Sequence, residues 1–230
     1  MRRKRSIPGL LLAGLFALSP VTWAQSSEKL FLDFEQVATG KIPDGWKTEA
    51  TNQRGPLATW QVTEDKTAPS GDKVLALTRT NHISGSTFNL CWTPGYSFLN
   101  GEISVMIKAN QGEEDQGGGV IWRARDKSNY YIARYNPLEN NFRIYYVKDG
   151  DRRMLASARV TIPAHTWFEL KIIVNNDRII GYLDGNKYLE VKDPTFKNAG
   201  GVGLWVKADG KTSFDNFTVI PPKKPDRSME

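Results

Sequence analysis

The chain has 230 residues, 40% of them hydrophobic and 24% charged, the make-up of a folded domain rather than of a disordered or low-complexity chain. Its single cysteine, Cys91, excludes an intramolecular disulfide, so the fold must stand on its core. The formal charge of +6 would suggest an acidic partner, but much of it comes from the first few residues. Arg2, Arg3, Lys4 and Arg5 form a basic start, Ile7 to Leu18 an apolar run, and Thr22-Trp23-Ala24 a small-residue site before Gln25. This is the three-part pattern of a secretory signal peptide, and the run is shorter than the ~20 apolar residues of a membrane span. Residues 1–24 are therefore expected to be cut off, the protein exported to the periplasm or the exterior, and no membrane insertion to follow. Four of the 31 basic residues go with the signal, which leaves 27 against 25 acidic ones, a net charge of +2. A nucleic-acid partner loses its support.

From residue 30 onward no helical period appears. Short runs alternate with period two and are separated by Gly, Asn, Asp and Pro. Strands are expected at 30–34, 59–63, 73–78, 101–108, 119–125, 129–135, 141–147, 155–161, 167–174, 179–183, 201–207 and 212–220. Lys148-Asp149-Gly150-Asp151 is a hairpin turn signal. Cys91 reads as a small buried hydrophobe. Trp122 and Trp167 are expected in the core; Trp205 is out of phase with Val202, Leu204 and Val206, so it faces solvent, a ligand or a second core layer. A dozen short strands at regular spacing indicate an antiparallel sandwich or barrel over residues 25–220. Residues 221–230 read as a disordered polar tail.

Several stretches, in order, carry a family likeness. They are Gly117 to Arg123, Asn129 to Arg134, Asn140 to Tyr145, Trp167 to Ile172, Tyr182 to Gly185, Gly201 to Asp209 and Thr212 to Phe217. The series resembles the bacterial laminin-G-like and 3-keto-disaccharide hydrolase-like domains of the concanavalin A-like superfamily. The resemblance implies an all-β fold, an antiparallel two-sheet jelly-roll β-sandwich, with carbohydrate as the usual partner. It leaves the activity open, because one fold hosts binding modules, hydrolases and lyases.

Retaining family 16 glycoside hydrolases share the superfamily, and their Glu-x-Asp-x-x-Glu strand brings two carboxylates to one face. The nearest match here, Glu113-Glu114-Asp115-Gln116-Gly117-Gly118, has Gly118 in place of the last Glu and reads as a solvated acidic turn. His82 and His165 stand without a nucleophile motif and read as turn or surface residues. An aromatic and arginine set is more suggestive. Tyr130, Arg134 and Asn136 share one strand face, Arg123 lies on the strand before, and Arg143 and Tyr145 on the strand after. With Trp205 they make an expected sugar-binding surface: rings pack on C–H faces, and Arg and Asn direct hydrogen bonds to hydroxyls. On that reading Arg134 is exposed and dispensable for folding. Asp33 and Glu35 at the start and Asp215 at the end are a loose candidate ligand set for the structural Ca²⁺ that jelly-roll sugar modules often hold.

The leading functional reading is a secreted carbohydrate-interacting module. The alternatives are a glycoside-processing hydrolase or lyase, and an adhesive or structural envelope domain. Converging acids beside Arg134 would favour an enzyme; an aromatic platform without them would favour binding.

Overall fold

The computed structural model describes residues 24–80 and 85–222. Among them are fifteen strands and no helix. In chain order they are β1 (Leu30–Leu32), β2 (Lys47–Thr51), β3 (Thr59–Glu64), β4 (Lys73–Arg79), β5 (Phe88–Phe98), β6 (Gly101–Gln111), β7 (Gly118–Asp126) and β8 (Asn129–Asn136). There follow β9 (Asn141–Lys148), β10 (Asp151–Arg159), β11 (Trp167–Asn175), β12 (Arg178–Leu183), β13 (Asn186–Lys192), β14 (Gly200–Lys207) and β15 (Lys211–Ile220). All pairings are antiparallel. One sheet runs β13-β12-β11-β6-β15-β4-β3, with β1 also on β15; the other runs β10-β9-β8-β7-β14-β5-β2. The jelly-roll sandwich read from the sequence is the fold.

Period-two alternation decides what each strand buries. In β6 and β11, Ile103, Val105, Ile107, Phe168, Leu170 and Ile172 point to the core between the sheets. Val120, Trp122, Tyr131, Ala133, Tyr135, Phe142 and Leu204 meet them from the seven-stranded sheet. Trp122 stacks on Tyr131 with ring centroids 5.4 Å apart. Cys91 lies in this core, where burial pushes its thiol pKa up. Trp167 differs from expectation. Phe168, not Trp167, is in phase with Leu170 and Ile172, so the indole lies half-buried on the outer face, with Lys108 over its ring and its N–H donating to Thr67.

The outer face of the seven-stranded sheet carries a second apolar layer: Phe88, Leu90, Trp92, Ile121, Tyr130, Ile132, Tyr145, Val147 and Trp205. Trp92 lies across β14 at Gly203, where a Cβ would run into the Trp92 side chain. Trp205 therefore belongs to a second core layer and is fully buried. What covers this layer is the sheet itself. Thr51, at one corner, donates to Lys127 O and pairs with the Tyr130 hydroxyl at the diagonal corner, and Asn52 donates to Gly150 O.

Candidate functional site

At one end of the same outer face the apolar layer gives way to a polar cluster. Arg134 stands at its centre. The β8–β9 register sets Arg134 directly opposite Arg143, and the tight turn between the strands brings Glu139 back beneath both. Arg134 Nη1 donates to Asn141 Oδ1 at 2.7 Å; its Nη2 donates to Glu139 Oε2 at 2.8 Å and to the Tyr145 hydroxyl at 3.2 Å. Arg143 Nη1 reaches the same Glu139 oxygen and the same hydroxyl, each at 3.3 Å. Arg134 is 1% exposed, whereas the Arg143 and Glu139 side chains are 30% and 45% exposed. The network thus begins in the interior and ends in solvent. Burial works against ionisation of Glu139, but hydrogen bonds from Arg134 and Asn141 and the two guanidinium charges outweigh it and hold its carboxyl down at about 2.

Asn136 continues the cluster inward. Its Nδ2 donates to Asp115 Oδ1 at 3.2 Å, and its Oδ1 accepts the Glu139 amide. Asp115 also takes Lys207 Nζ at 3.0 Å. The loop that holds it is fastened by Asp209, which accepts the amides of Glu113, Glu114 and Asp115. Burial pushes the Asp115 carboxyl upward, while Lys207 and Arg134 pull it back and Glu139 adds to the rise. The expectation of a solvated acidic turn holds for Glu113 and Glu114, both exposed, and fails for Asp115, which is 2% exposed.

Of the residues expected to bind sugar, Tyr130, Arg134, Asn136, Arg143, Tyr145 and Trp205 do share one face, but the surface is mostly closed. Tyr130, Asn136 and Trp205 are fully buried and Tyr145 nearly so; only Arg143 reaches solvent. The assumption that Arg134 is exposed is overturned: the phase argument was sound, but it could not foresee a sheet that folds over its own outer face. Arg123 is not in the cluster at all. A bulge in β7 after Trp122 puts Arg123 in the left-handed region at φ 49°, which turns its side chain away. Its guanidinium donates to the carbonyls of Leu99, Phe196 and Asn176 and clamps three loops at the far end of the sandwich.

Asp33, Glu35 and Asp215 do lie at one corner, and the charges of Glu35 and Asp33 help push Asp215 up to about 6, after burial as the main cause. They do not form a calcium cage. Among the described residues no three of His, Cys, Asp and Glu are placed to hold a metal. Backbone amides occupy the carboxylates instead: Ser70 and Asn216 donate to Asp215, Asp72 and Lys73 to Glu35, and Glu35 to Asp33. His165 is an exposed turn residue with φ 64°, and His82 lies outside the described residues.

Sequence reasoning missed Asp115, Glu139, Asn141, Lys207 and Arg152. Glu139 and Asn141 flank a turn whose residues carry no period, and only the β8–β9 register shows that they fold back under Arg134. Arg152 is the second residue of β10, which begins four residues before the expected start and shows no regular alternation.

This polar cluster on a jelly-roll face agrees with what the chain resembles. The profile of the 3-keto-alpha-glucoside-1,2-lyase-like domain matches residues 30–220. The chain belongs to that family. It is a carbohydrate-related jelly-roll domain, and solved structures share its fold at low identity. The carbohydrate binding module CBM66 from Bacillus subtilis is 21% identical, with a TM-score of 0.59 over 76% of this chain and 95% of that one. A Bacillus licheniformis beta-glucanase is 12% identical, with a TM-score of 0.58 over 86% of this chain and 100% of that one. A native glycosidic hydrolase is 14% identical, with a TM-score of 0.58 over 88% and 100%. No curated protein matches the chain by sequence.

Proposed function

We propose that this member of the 3-keto-alpha-glucoside-1,2-lyase-like family is an exported carbohydrate-binding domain. The ligand lies on the outer face of the seven-stranded sheet, where Arg143 and Glu139 meet solvent. The observation that carries the reading is the Arg134–Glu139–Arg143–Tyr145 network. It fixes a carboxylate, a guanidinium and a phenol in directed geometry where a buried polar cluster comes to the surface. Sugars are recognised by such preset donors and acceptors beside an aromatic ring. The kinship with a carbohydrate binding module in fold, and with a lyase on glucosides by family, supports the ligand class. Export rests on the signal-like residues 1–24. The test is a glycan array with the wild type and Arg143→Ala. Binding that falls several-fold in the variant, with an unchanged melting temperature, supports the reading. No bound glycan, or binding indifferent to the variant, overturns it.

A second reading has one observation in its favour. Asp115 and Glu139 converge on Arg134 and Asn136, and their environments push their pKa values in opposite directions. Such divergence is how an acid–base pair is made. Removing the C2 proton of a 3-keto-glucoside, acidified by the adjacent ketone, while the C1–O bond breaks, needs one base. Asp115 is the group moved toward neutrality, but it is buried under Lys207, and Glu139 at about 2 is a weak base. Binding is therefore the better-supported role. Elimination from a 3-keto-α-glucoside by the wild type, abolished in Asp115→Asn, would reverse that order.

A further inference from the structure

Arg152 stands one row along from the network and is bound to nothing polar. Its guanidinium carbon lies 4.4 Å from the Tyr145 ring, 5.0 Å from Phe88 and 5.8 Å from Trp205. Three rings thus box in a cation that, among the described residues, makes no hydrogen bond and no ion pair. Its Nη1 is buried and unpartnered. Arg134 Nε, in the same cluster, is also buried without a partner. Burial disfavours the charge of Arg152, and Arg134 repels it. A charge drawn out of water and left unpaired is costly, and an aromatic box recovers only part of that cost.

Arg134, Arg143, Arg152 and Lys207 share this end of the face with Glu139 and Asp115, and the loop that holds Asp115 is fastened by Asp209; Tyr145 and Asp115 favour the Arg152 charge, while Arg134 opposes it. Both carboxylates are already engaged, Glu139 with Arg134 and Arg143 and Asp115 with Lys207. Lys47 and Glu49, nearby on β2, pair with each other at 3.1 Å.

We infer that the ligand carries an anionic group, a carboxylate or a sulfate ester on a sugar, and that Arg152 is its receptor. The planar guanidinium suits either oxyanion, and the half-buried position of Arg152 makes the interaction stronger than on an open surface. The inference rests on the carbohydrate-binding reading and names the substrate class for the same face.

The experiment is a titration of the mature chain with three oligosaccharides: an oligogalacturonate, its methyl-esterified uncharged form, and a sulfated galactan fragment, beside Arg152→Gln and Arg152→Lys. At least one anionic sugar should bind tenfold or more tighter than the uncharged one, and its affinity should fall as salt rises. The uronate and sulfate arms decide which anion is preferred. Arg152→Gln should lose about tenfold for the anionic sugar and little for the uncharged one. Arg152→Lys should keep the fold and part of the preference, and melting curves of both variants show whether either has lost structure. Equal binding of charged and uncharged sugars overturns the anionic site and leaves the sugar surface standing. No binding of any of the three overturns both. A preference for anions that survives in Arg152→Gln moves the receptor away from Arg152 and overturns the assignment.

Discussion

Thr51 Oγ1 lies 2.8 Å from the Tyr130 hydroxyl, although strand register puts the two at diagonal corners of the seven-stranded sheet. Thr51 pairs with Phe88 and Phe88 with Lys207, at one end of the strands; Tyr130 pairs with Val147 at the other. Strands twist by roughly 20–25° per step, and over the four steps from β2 to β8 the twist accumulates until opposite ends of the strands face each other. The contact closes the face over Phe88, Tyr145 and Trp205 and makes it a core layer instead of an open groove.

That closure is testable. Tyr130→Phe keeps the ring and removes one buried hydroxyl, leaving Thr51 with Lys127 O. Urea unfolding should show a loss of about 1 kcal/mol. Thr51→Val removes both bonds and strands the Lys127 carbonyl and the Tyr130 phenol, so its loss should be greater, about 2 kcal/mol. Equal stability of both variants and the wild type would mean that the corners do not meet in solution.

Arg134 should matter for folding far more than Arg143. Arg134→Ala removes a fully buried guanidinium, opens a cavity beside Asn141 and Tyr145, and leaves Glu139 with Arg143 and the Asn141 amide. Breaking a buried pair costs roughly 3–5 kcal/mol. Because half-exposed Glu139 can take up water, a loss of about 2–3 kcal/mol is expected. Arg143→Ala should cost less than about 0.5 kcal/mol. A melting temperature insensitive to Arg134→Ala would restore the exposed, dispensable arginine that phase alone suggests.

Much of this could be read from the residues, and the failures have physical causes. Val105 and Leu170 sit in strands that alternate cleanly because one side of each faces the core, so those strands are legible. Lys47–Thr51, Asp151–Arg159 and Asn186–Lys192 are edge strands with few buried side chains, and alternation has little to mark there. Pro94 and Gly95 disguise the middle of β5 as a turn. The face shared by Tyr130, Arg134 and Asn136 was legible from period two. Its burial was not, since burial depends on a twist summed over the strands from β2 to β8 and on partners 79 residues apart in sequence.

Asp215 predicts a pH dependence of opposite sense to an ordinary ion-paired acid. Burial raises its carboxyl first, and the charges of Glu35 and Asp33 add to this, while the amides of Asn216 and Ser70 oppose it; the result is about 6 against an ordinary 3.8. A raised carboxylate binds its proton better in the folded state, so folding is most favoured with Asp215 protonated. Stability should fall as pH rises from about 4 to about 6, by on the order of 2–3 kcal/mol from this group. Glu139, held at about 2, works the other way and loses its contribution as pH falls below about 4.5. Asp215→Asn isolates the first effect. Its absolute stability reflects a lost acceptor, but the wild-type-minus-variant difference should slope downward between pH 4 and 6. A flat difference would refute the raised carboxyl.

The last prediction concerns where the mature chain begins. Among the described residues, the first side chain with long-range partners is Gln25. Its Nε2 donates to Asn100 O at 2.8 Å, and its Oε1 accepts the Asn100 amide at 2.9 Å, a two-bond clamp that imitates a strand pair. Ser26 repeats the arrangement with Ser97: its amide donates to the Ser97 carbonyl at 2.7 Å, and its hydroxyl oxygen accepts the Ser97 amide at 2.9 Å. The residue before Gln25 is Ala24, the last of the Thr22-Trp23-Ala24 cleavage site. A cut after Ala24 keeps every one of these bonds, whereas a cut even two residues later removes four. The exported product should therefore have the mass of a chain starting at Gln25. In that mature chain Gln25→Ala should lower stability by about 1 kcal/mol, the net worth of two partly exposed hydrogen bonds. Mass spectrometry of protein recovered from outside the cytoplasm gives the first answer, and thermal melts of the two mature chains the second. A product beginning beyond Ser26, or an uncut chain held in the membrane, would show that the clamp does not mark the start of the exported domain.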